Sequence, residues 1–456
     1  MLIGWLVFLL CRRLVPAHAT LAFLSGVFAC SWAPQDFARL DTLALTGYSG
    51  LTLATCLAML LFVESWRRGS LRLLLLAMAV AFTAARGAEI VMPLLAAAPL
   101  ALLICGRRPT RQLRLWLALW GGLLLVATGL ILRPLVFPDL GPTYQTGVLG
   151  GLDLTPLAVL GRLHAEYEYH LLPLALIPRG LMWHPGVPIA AAVFTLAWRL
   201  AAGRRGQQHA GPEARFVLLV CGGVGLILAG LGYAPYVLSP YTVGPARTQF
   251  LSAPGIAVFL ASMICLLGTW VPRRWRQLAI AVLALWVVVV QTGRTLEMQR
   301  GWDLVNAFRW QTDSLAQLTA RAPDLKPGTL VVIIDQRYAW RASFTFRHAV
   351  EYVYQGRATG HVWGGLDLLY PASFEPEGVR CDPWPSIREA WHAPATFHRH
   401  DEIVVVRYGN DGRLTVLEDW PDVLGGPAPH ARYDPRSRIL PAGAPVPQRA
   451  ILSLPR

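Results

Sequence analysis

The sequence predicts a mainly α-helical polytopic membrane protein with about nine to ten transmembrane helices and a small C-terminal α+β domain. Three observations predict this fold class. Hydrophobic residues make up 54% of the 456 residues and charged residues only 15%, whereas a soluble domain carries about 25% charged residues. The apolar residues collect in long runs before residue 294. Residues 301–456 hold equal numbers of acidic and basic side chains, so the net charge of +14 lies entirely upstream.

Apolar runs approaching the length of about 20 residues that crosses a bilayer define the predicted membrane helices. The ten candidate runs cover residues 1–11, 14–33, 43–64, 70–85, 89–106, 113–136, 186–202, 214–238, 250–270 and 276–293. The first run is only about half of a span. It is either a half-span or the remainder of a domain whose first helix lies upstream of Met1, and the sequence leaves both alternatives open.

Arginine clusters mark every second connection between these runs. They lie at 12–13, 67–72, 107–114, 199–215 and 273–276. Cytoplasmic loops are enriched in Lys and Arg, so these connections are expected inside. The outer side is then expected to hold everything after 294 and the connections 34–42, 86–88, 138–185 and 239–249. We therefore expect a multi-pass protein of the cell membrane, with an extracytoplasmic C-terminal domain and no nucleic-acid partner.

The predicted domains are a multi-pass membrane domain (1–294) and a soluble domain (295–456). In the soluble domain, residues 295–325 are predicted to be helical and residues 329–335 to form a strand.

Two further local patterns lie near the end of the chain. The segment 402–420 predicts a hairpin turned at Gly409-Asn410-Asp411-Gly412, because these residues tolerate positive φ. The run His398-Arg-His400-Asp401 is interpreted as a solvated turn, since no third ligand follows at zinc spacing.

The glycines of CGGVGLILAGLG favour close helix packing in the membrane. They are Gly222, Gly223, Gly225, Gly230 and Gly232. The sequence has none of the motifs GxxxxGK, HExxH, GxSxG and GxGxxG, which are typical of nucleotide, zinc-protease and serine-hydrolase sites.

Two outer segments carry acidic residues that can take part in proton transfer. In AARGAEIVMP (84–93), Arg86 and Glu89 lie at an outer membrane boundary, where the alternative is a structural pair of an arginine with a helix-start glutamate. In APQDFARLD (33–41), Asp36 and Asp41 are candidates for a general base and its partner, or are simply part of a polar loop.

The segment HAEYEYH carries two histidines and two glutamates, namely His164, Glu166, Glu168 and His170. An extended segment would place all four on one face, and a helix would form two pairs four residues apart. Either geometry is a candidate site for a divalent cation, the one cofactor that the sequence suggests. The alternative is an interfacial helix with tyrosines at headgroup level.

Arg247 precedes the apolar run that begins at residue 250, at a predicted outer helix start. An arginine there is well placed for a lipid phosphate. It can equally be an interface anchor.

Three segments follow one another along the chain, namely RRLVPAHATLAFLSGVFACSWAP, ARGAEIVMP and ARTQFLSAPGIAVFLA. Their order resembles that in the polyprenyl-phosphate-sugar-dependent glycosyltransferases of the GT-C superfamily, including the protein O-mannosyltransferase-like branch. The resemblance covers residues 12–295. Arg247, Leu251, Ser252, Pro254 and Gly255 follow the family's late-helix pattern. Arg86 and Glu89 are separated by two residues, where the family has a tighter turn.

The resemblance implies a membrane enzyme that takes a sugar from a polyprenyl-phosphate donor. Arg247 and Arg86 would bind the lipid phosphate, and Asp36 or Glu89 would be the catalytic carboxylate. The family's first helix and the catalytic loop after it have no counterpart in this sequence, so the chain is expected to be either truncated or inactive unless one of these acids replaces the missing one.

A different class of function competes with this one. It is a non-catalytic polytopic protein whose outer domain binds a partner or an envelope polymer. A transporter is disfavoured by the scarcity of charges in the middle of the spans.

Overall fold

The computed structural model describes residues 1–32, 42–99, 111–136, 154–175, 184–202, 212–237, 246–304, 307–367, 369–384, 388 and 393–442. The chain forms two compact units that divide between Asp303 and Leu304. The predicted boundary at 294/295 falls inside a helix that runs Arg273–Leu304. The polar residues after the apolar run therefore continue the same helix.

The first unit is helical. Its helices are α1 (Leu2–Leu14), α2 (Ala19–Ser31), α3 (Thr42–Arg68), α4 (Leu71–Gly87), α5 (Met92–Ala97), α6 (Arg111–Val136), α7 (Pro156–Leu171), α8 (Gly186–Ala202), α9 (Pro212–Val237), α10 (Ala253–Trp270) and α11 (Arg273–Leu304). Each of the ten predicted apolar runs overlaps one of these helices. The helix α7 lies in none of those runs.

Five helical stretches in the described part of the chain are long and apolar enough to cross a membrane. They are Ser49–Arg68, Arg111–Arg133, Pro212–Val237, Gln249–Trp270 and Arg273–Arg300. Shorter apolar helices occur at Ala19–Ser31 and Gly186–Ala201. These helices indicate a multi-pass membrane protein.

Glycines allow α9 and α10 to pack backbone against backbone. A Cβ atom added to Gly225 would lie 2.7 Å from the Phe259 nitrogen, and one added to Gly232 would lie 2.6 Å from the Leu251 carbonyl carbon. Gly222 is similarly close to the end of the Met263 side chain. Close helix packing at these three glycines is confirmed, as expected where lipid removes the hydrophobic drive for association.

The prediction is wrong for Gly223, which has open space beyond its Cα within 4 Å. Gly230 packs closely against a different helix, since a Cβ atom there would lie 3.0 Å from the Tyr167 hydroxyl on α7. Both positions lie on other faces of α9, because adjacent residues point in different directions around a helix.

The second unit combines two helices with short strands. The elements are α12 (Ala307–Arg321), α13 (Ser343–Val353), β1 (Asp324–Leu325), β2 (Thr329–Asp335), β3 (Ala358–Trp363), β4 (Ala372–Glu375), β5 (Gly378–Cys381), β6 (Thr396–Arg399), β7 (Ile403–Tyr408), β8 (Leu414–Val416) and β9 (Ile439–Leu440). The main sheet has the order β3-β2-β7-β8, a second sheet has the order β4-β5-β6, and β1 pairs with β9.

The main sheet is mostly parallel. Strand β2 pairs in parallel with both β3 and β7, and β8 pairs antiparallel with β7. The residues Leu330–Ile333 are completely buried, as expected for a central parallel strand covered on both faces. The predicted strand at 329–335 and the predicted hairpin at 402–420 are both confirmed, with Gly412 in the turn at φ +78°.

The interpretation of the His398–Asp401 run as a solvated turn is wrong. His398 and His400 are 7% and 2% exposed. The His398 Nδ1 atom lies 3.0 Å from the Gly328 carbonyl oxygen, and the His400 ring packs edge-on against Trp420 at 4.3 Å. His398 lies in strand β6 and His400 in the 3-10 helix His400–Glu402 that follows it, and burial lowers the pKa of each.

Candidate functional site: a buried polar cluster around His170

Helix α7 has its polar face inside and its apolar residues outside. Its buried residues are Arg162, Glu166 and His170, each one turn after the last. Leu157 and Leu160, near its start, are 83% and 63% exposed. Pro156 occupies the first turn, where a missing N–H is tolerated. Exposed leucines suit lipid as their surroundings, and buried ionisable groups in such a helix indicate a functional site.

His170 joins three separate parts of the chain. The Trp32 indole N–H, just after α2, donates to His170 Nδ1 at 3.0 Å. His170 Nε2 lies 3.0 Å from Glu166 Oε1 and 2.9 Å from Gln249 Oε1. Gln249 belongs to the 3-10 helix Ala246–Leu251 that precedes α10. Side chains from α7, from the end of α2 and from the start of α10 therefore meet at one imidazole.

These contacts determine the tautomer of His170. An indole N–H only donates, so Nδ1 must accept and cannot carry a proton. The proton is then on Nε2, which donates to the oxygens of Glu166 and Gln249. A second proton on the ring would displace the Trp32 bond. The three contacts therefore hold the imidazole in one orientation.

Glu166 is buried more completely than most carboxylates. Its side chain is 0% exposed, and among the described residues its Oε2 atom has no hydrogen-bond partner. Arg162 lies one turn earlier on the same face and donates to the Val237 carbonyl oxygen at 2.9 Å. A buried polar atom without a partner costs on the order of 1–3 kcal/mol.

Packing around the cluster fixes the start of α10. The Phe250 ring lies edge-on to Trp32 at 5.4 Å. The Ser252 hydroxyl donates to the Ala229 carbonyl oxygen on α9 at 2.9 Å. Tyr167 on α7 donates to the Leu226 carbonyl oxygen at 2.8 Å. The same glycine-lined contact of α9 with α10 therefore also supports the polar cluster.

The residues predicted from the sequence to bind the lipid phosphate or to act as the catalytic carboxylate have the following positions. Arg247 lies in the 3-10 helix Ala246–Leu251, two residues before Gln249, and its side chain is outside the part of the chain that the structure describes. Asp36 lies outside the described residues, in the segment that follows Trp32. Arg86 is exposed in the last turn of α4, and Glu89 is half-buried at the start of the 3-10 helix Glu89–Val91.

The four residues proposed for a divalent cation do not converge. Because the segment is helical, His170 pairs with Glu166 inside, while His164 and Glu168 form an exposed pair at 3.9 Å. Two positions two residues apart point to nearly opposite sides of a helix. No group of three or more candidate metal ligands occurs among the described residues, so the HAEYEYH segment does not itself form a cation site.

Arg162, Gln249 and Trp32 were not predicted as site residues from the sequence. Arg162, Glu166 and His170 repeat every four residues, which is the spacing of one helix face. That spacing was available in the sequence. The contacts of Gln249 and Trp32 were not, because 79 and 138 residues separate them from His170.

The fold and the geometry of the cluster are the basis for assigning a function. Comparisons with protein-family models, with curated proteins and with solved structures find no match for this chain.

Proposed function

We propose that this chain is a glycosyltransferase-like protein of the cytoplasmic membrane that takes a sugar from a polyprenyl-phosphate donor on the outer face. In this proposal the membrane domain has about nine to ten spans. The second unit is extracytoplasmic in this proposal, because the arginine-rich connections are expected to be cytoplasmic.

The observation that carries the proposal is the set of hydrogen bonds around His170. Through His170 they connect Trp32, which directly precedes the segment that contains Asp36, with Gln249, which lies in the same 3-10 helix as Arg247. The acid and the cation nominated from the sequence therefore belong to segments that start from the same buried cluster. A glycosyl transfer site needs such a pair, a base for the acceptor and a cation for the leaving group.

The proposed reaction breaks one bond and forms another at the anomeric carbon of the sugar. The acceptor hydroxyl attacks that carbon, and the bond from the carbon to the phosphate oxygen breaks. Polyprenyl phosphate leaves with its negative charge, for which the guanidinium of Arg247 or Arg86 is suited. The hydroxyl proton passes to Asp36 or Glu89. In this proposal Glu166 and His170 position the segments that carry Asp36 and Arg247, and they do not contact the substrate.

The proposal is tested by the consumption of a polyprenyl-phosphate-linked sugar by the purified full-length protein. His170→Phe keeps an aromatic ring but removes three hydrogen bonds, so turnover should fall by tenfold or more, which corresponds to roughly 1.4 kcal/mol. His164→Phe is the matched control on the exposed face of α7 and should leave turnover unchanged. Equal turnover in the two variants, or no turnover by the unmodified protein, would contradict the proposal.

A separate measurement tests Arg247 as a phosphate ligand. Arg247→Lys should weaken the binding of polyprenyl phosphate, because a lysine cannot form the bidentate contact. Arg247→Ala should weaken it further, by on the order of 2 kcal/mol. An interface anchor would behave differently, since lysine reaches the interface as well as arginine does. A fluorescent-lipid titration of the three proteins separates these outcomes.

The location of the second unit is tested independently of chemistry. Alkaline phosphatase fused after Arg456 should be active, and the same fusion at Arg108 should be inactive. The reverse result would invert the proposed orientation of every helix.

The second candidate function is a non-catalytic membrane protein whose outer unit binds an envelope polymer. It is favoured by one observation, a large cleft in the second unit. Binding of a polymer without any consumption of the sugar donor would support this alternative.

A further inference from the structure

The second unit has a cleft at the carboxyl ends of its parallel strands. Its volume is about 870 Å³, within the range of ligand pockets. It is lined by residues that follow β2 and β3 and by Asn410, which follows β7. Strand β3 lies on one side of β2 and β7 on the other. In open α/β sheets, ligands bind at such a point, where neighbouring connections lead in opposite directions.

The lining combines aromatic rings with exposed polar side chains. Tyr338 is 74% exposed, and Trp363 is half-buried, edge-on against Phe374 at 5.0 Å. Gln336, Arg341 and Asn410 are all exposed at the cleft. An amide presents both donors and an acceptor, and a guanidinium presents five donors. The cleft therefore offers flat apolar surfaces next to groups that bind hydroxyls.

The loop after β2 is not built to hold a phosphate. In nucleotide-binding α/β folds, the backbone N–H groups of this loop bind the phosphates. Here the carboxylate of Asp335 accepts the N–H groups of Arg337 and Trp340, at 3.0 and 2.6 Å. The donors that would hold a phosphate are already used, and a carboxylate stands where the anion would lie.

The loop also holds Tyr338 in a strained conformation. Its φ is +55°, a region that a bulky non-glycine residue rarely adopts. The conformation is kept by Asp335 and by a hydrogen bond from the Gln311 amide to the Ala339 carbonyl oxygen at 2.8 Å. Strain of this kind collects at ligand sites, where the surrounding structure imposes it. Tyr338 therefore lines the cleft with most of its surface open.

We propose that this cleft binds a neutral saccharide. One face of a pyranose ring presents C–H groups that pack on an aromatic ring, here Tyr338 or Trp363, while its hydroxyls bond to Gln336, Arg341 and Asn410. Among the described residues that line the cleft, the charged side chains are Asp335 and Arg341. Their charges have opposite signs, which suits a ligand without net charge. The site is formed by the second unit alone, so the proposal stands whether or not the membrane unit transfers sugars.

The test uses the full-length protein in lipid nanodiscs and saturation-transfer NMR. The probes are the trisaccharides chitotriose, cellotriose and mannotriose, with ATP as the phosphate-bearing comparison. Tyr338→Asn removes the ring but keeps a residue that accepts positive φ, so the fold is retained. Tyr352→Asn is the matched control, because Tyr352 is 55% exposed on α13 and does not line the cleft.

We expect at least one trisaccharide to give saturation transfer, and its affinity to fall about tenfold in Tyr338→Asn, corresponding to roughly 1.4 kcal/mol. The Tyr352→Asn protein should bind as the unmodified protein does. The proposal is overturned if no trisaccharide binds, if the two variants bind equally well, or if ATP binds and Tyr338→Asn weakens its binding.

Discussion

Helix α7 of the first unit and helix α13 of the second have opposite arrangements of the same kinds of residue. Helix α7 buries Arg162, Glu166 and His170 and exposes leucines. Helix α13 buries Phe346, Val350 and Val353, and its other faces carry the exposed Tyr352 and an Arg347–Glu351 ion pair with an N–O distance of 2.8 Å, whose side chains are 12% and 30% exposed. A face that must meet lipid is apolar, and one that meets water is charged. We therefore expect the exposed leucines of α7 to meet lipid and the exposed residues of α13 to meet water.

The two units also differ in what holds them together. In the second unit, the buried strands β2 and β7 form a hydrophobic core of the kind that water stabilises. In the first unit, lipid surroundings remove that drive, so close packing at glycines must contribute more.

The largest expected effect is at Gly255, on α10. A Cβ atom there would lie 2.6 Å from the Gly225 carbonyl oxygen of α9, and neither backbone can move without separating the helices. Gly255→Val should therefore destabilise the first unit by more than about 3 kcal/mol. The measurement is the yield and thermal stability of detergent-purified protein. Gly223→Val is the control, because its Cβ would meet open space, and similar losses in both variants would show that glycine packing is not what matters.

The next effect tests the outer face of α7 directly. Leu157→Arg places a charge on a side chain that is 83% exposed. If this face meets lipid, the change should cost about 2–3 kcal/mol and reduce membrane insertion. Tyr352→Arg, on the outer face of α13, should have almost no effect because it meets water. The measurement is the fraction of each variant that is integrated into the membrane. Equal fractions for Leu157→Arg and Tyr352→Arg would contradict the idea that the two faces meet different solvents.

A pH dependence should appear in the second unit. Burial lowers the pKa of His361, His398 and His400 below the ordinary value. The unfolded unit therefore binds protons below about pH 6.5 that the folded unit does not, and stability falls as the pH falls below that value. Each unit of pKa difference contributes about 1.4 kcal/mol. Hydrogen exchange at β2, corrected for intrinsic rates, should show this slope, and His398→Gln should reduce it. A flat profile from pH 7 to about pH 5 would contradict the assignment.

The sequence predicted the helices of the first unit well because apolar length is a local property. Strand β2 and the β7–β8 hairpin were predictable for the same reason, since Pro327 and Gly328 introduce the strand and Gly412 supports the turn. The wrong interpretation of His398 and His400 has a tertiary cause. Nothing near them in sequence reveals that Gly328 and Trp420 enclose their rings.

The candidate site was only partly predictable. The spacing of Glu166 and His170 indicated a helical pair, but the sequence could not tell which of the two His/Glu pairs faces inward. That choice depends on Trp32 and Gln249, which are distant in sequence. The cleft of the second unit was not predicted, because it arises where β2, β3 and β7 end side by side.

The smallest expected effect concerns an unfavourable local feature at a candidate site. Each unit has one such feature. The first unit buries an oxygen of Glu166 without a described partner, and the second holds Tyr338 at positive φ. Tyr338→Asn should raise the free energy of unfolding by about 1 kcal/mol, because asparagine accepts this conformation with less strain. Tyr338→Gly should gain less, since glycine loses roughly 0.5–1 kcal/mol more backbone entropy on folding. Thermal unfolding of the full-length variants gives this ranking. A loss of stability in Tyr338→Asn would mean that the ring contributes to packing, and the strain would then no longer point to a ligand.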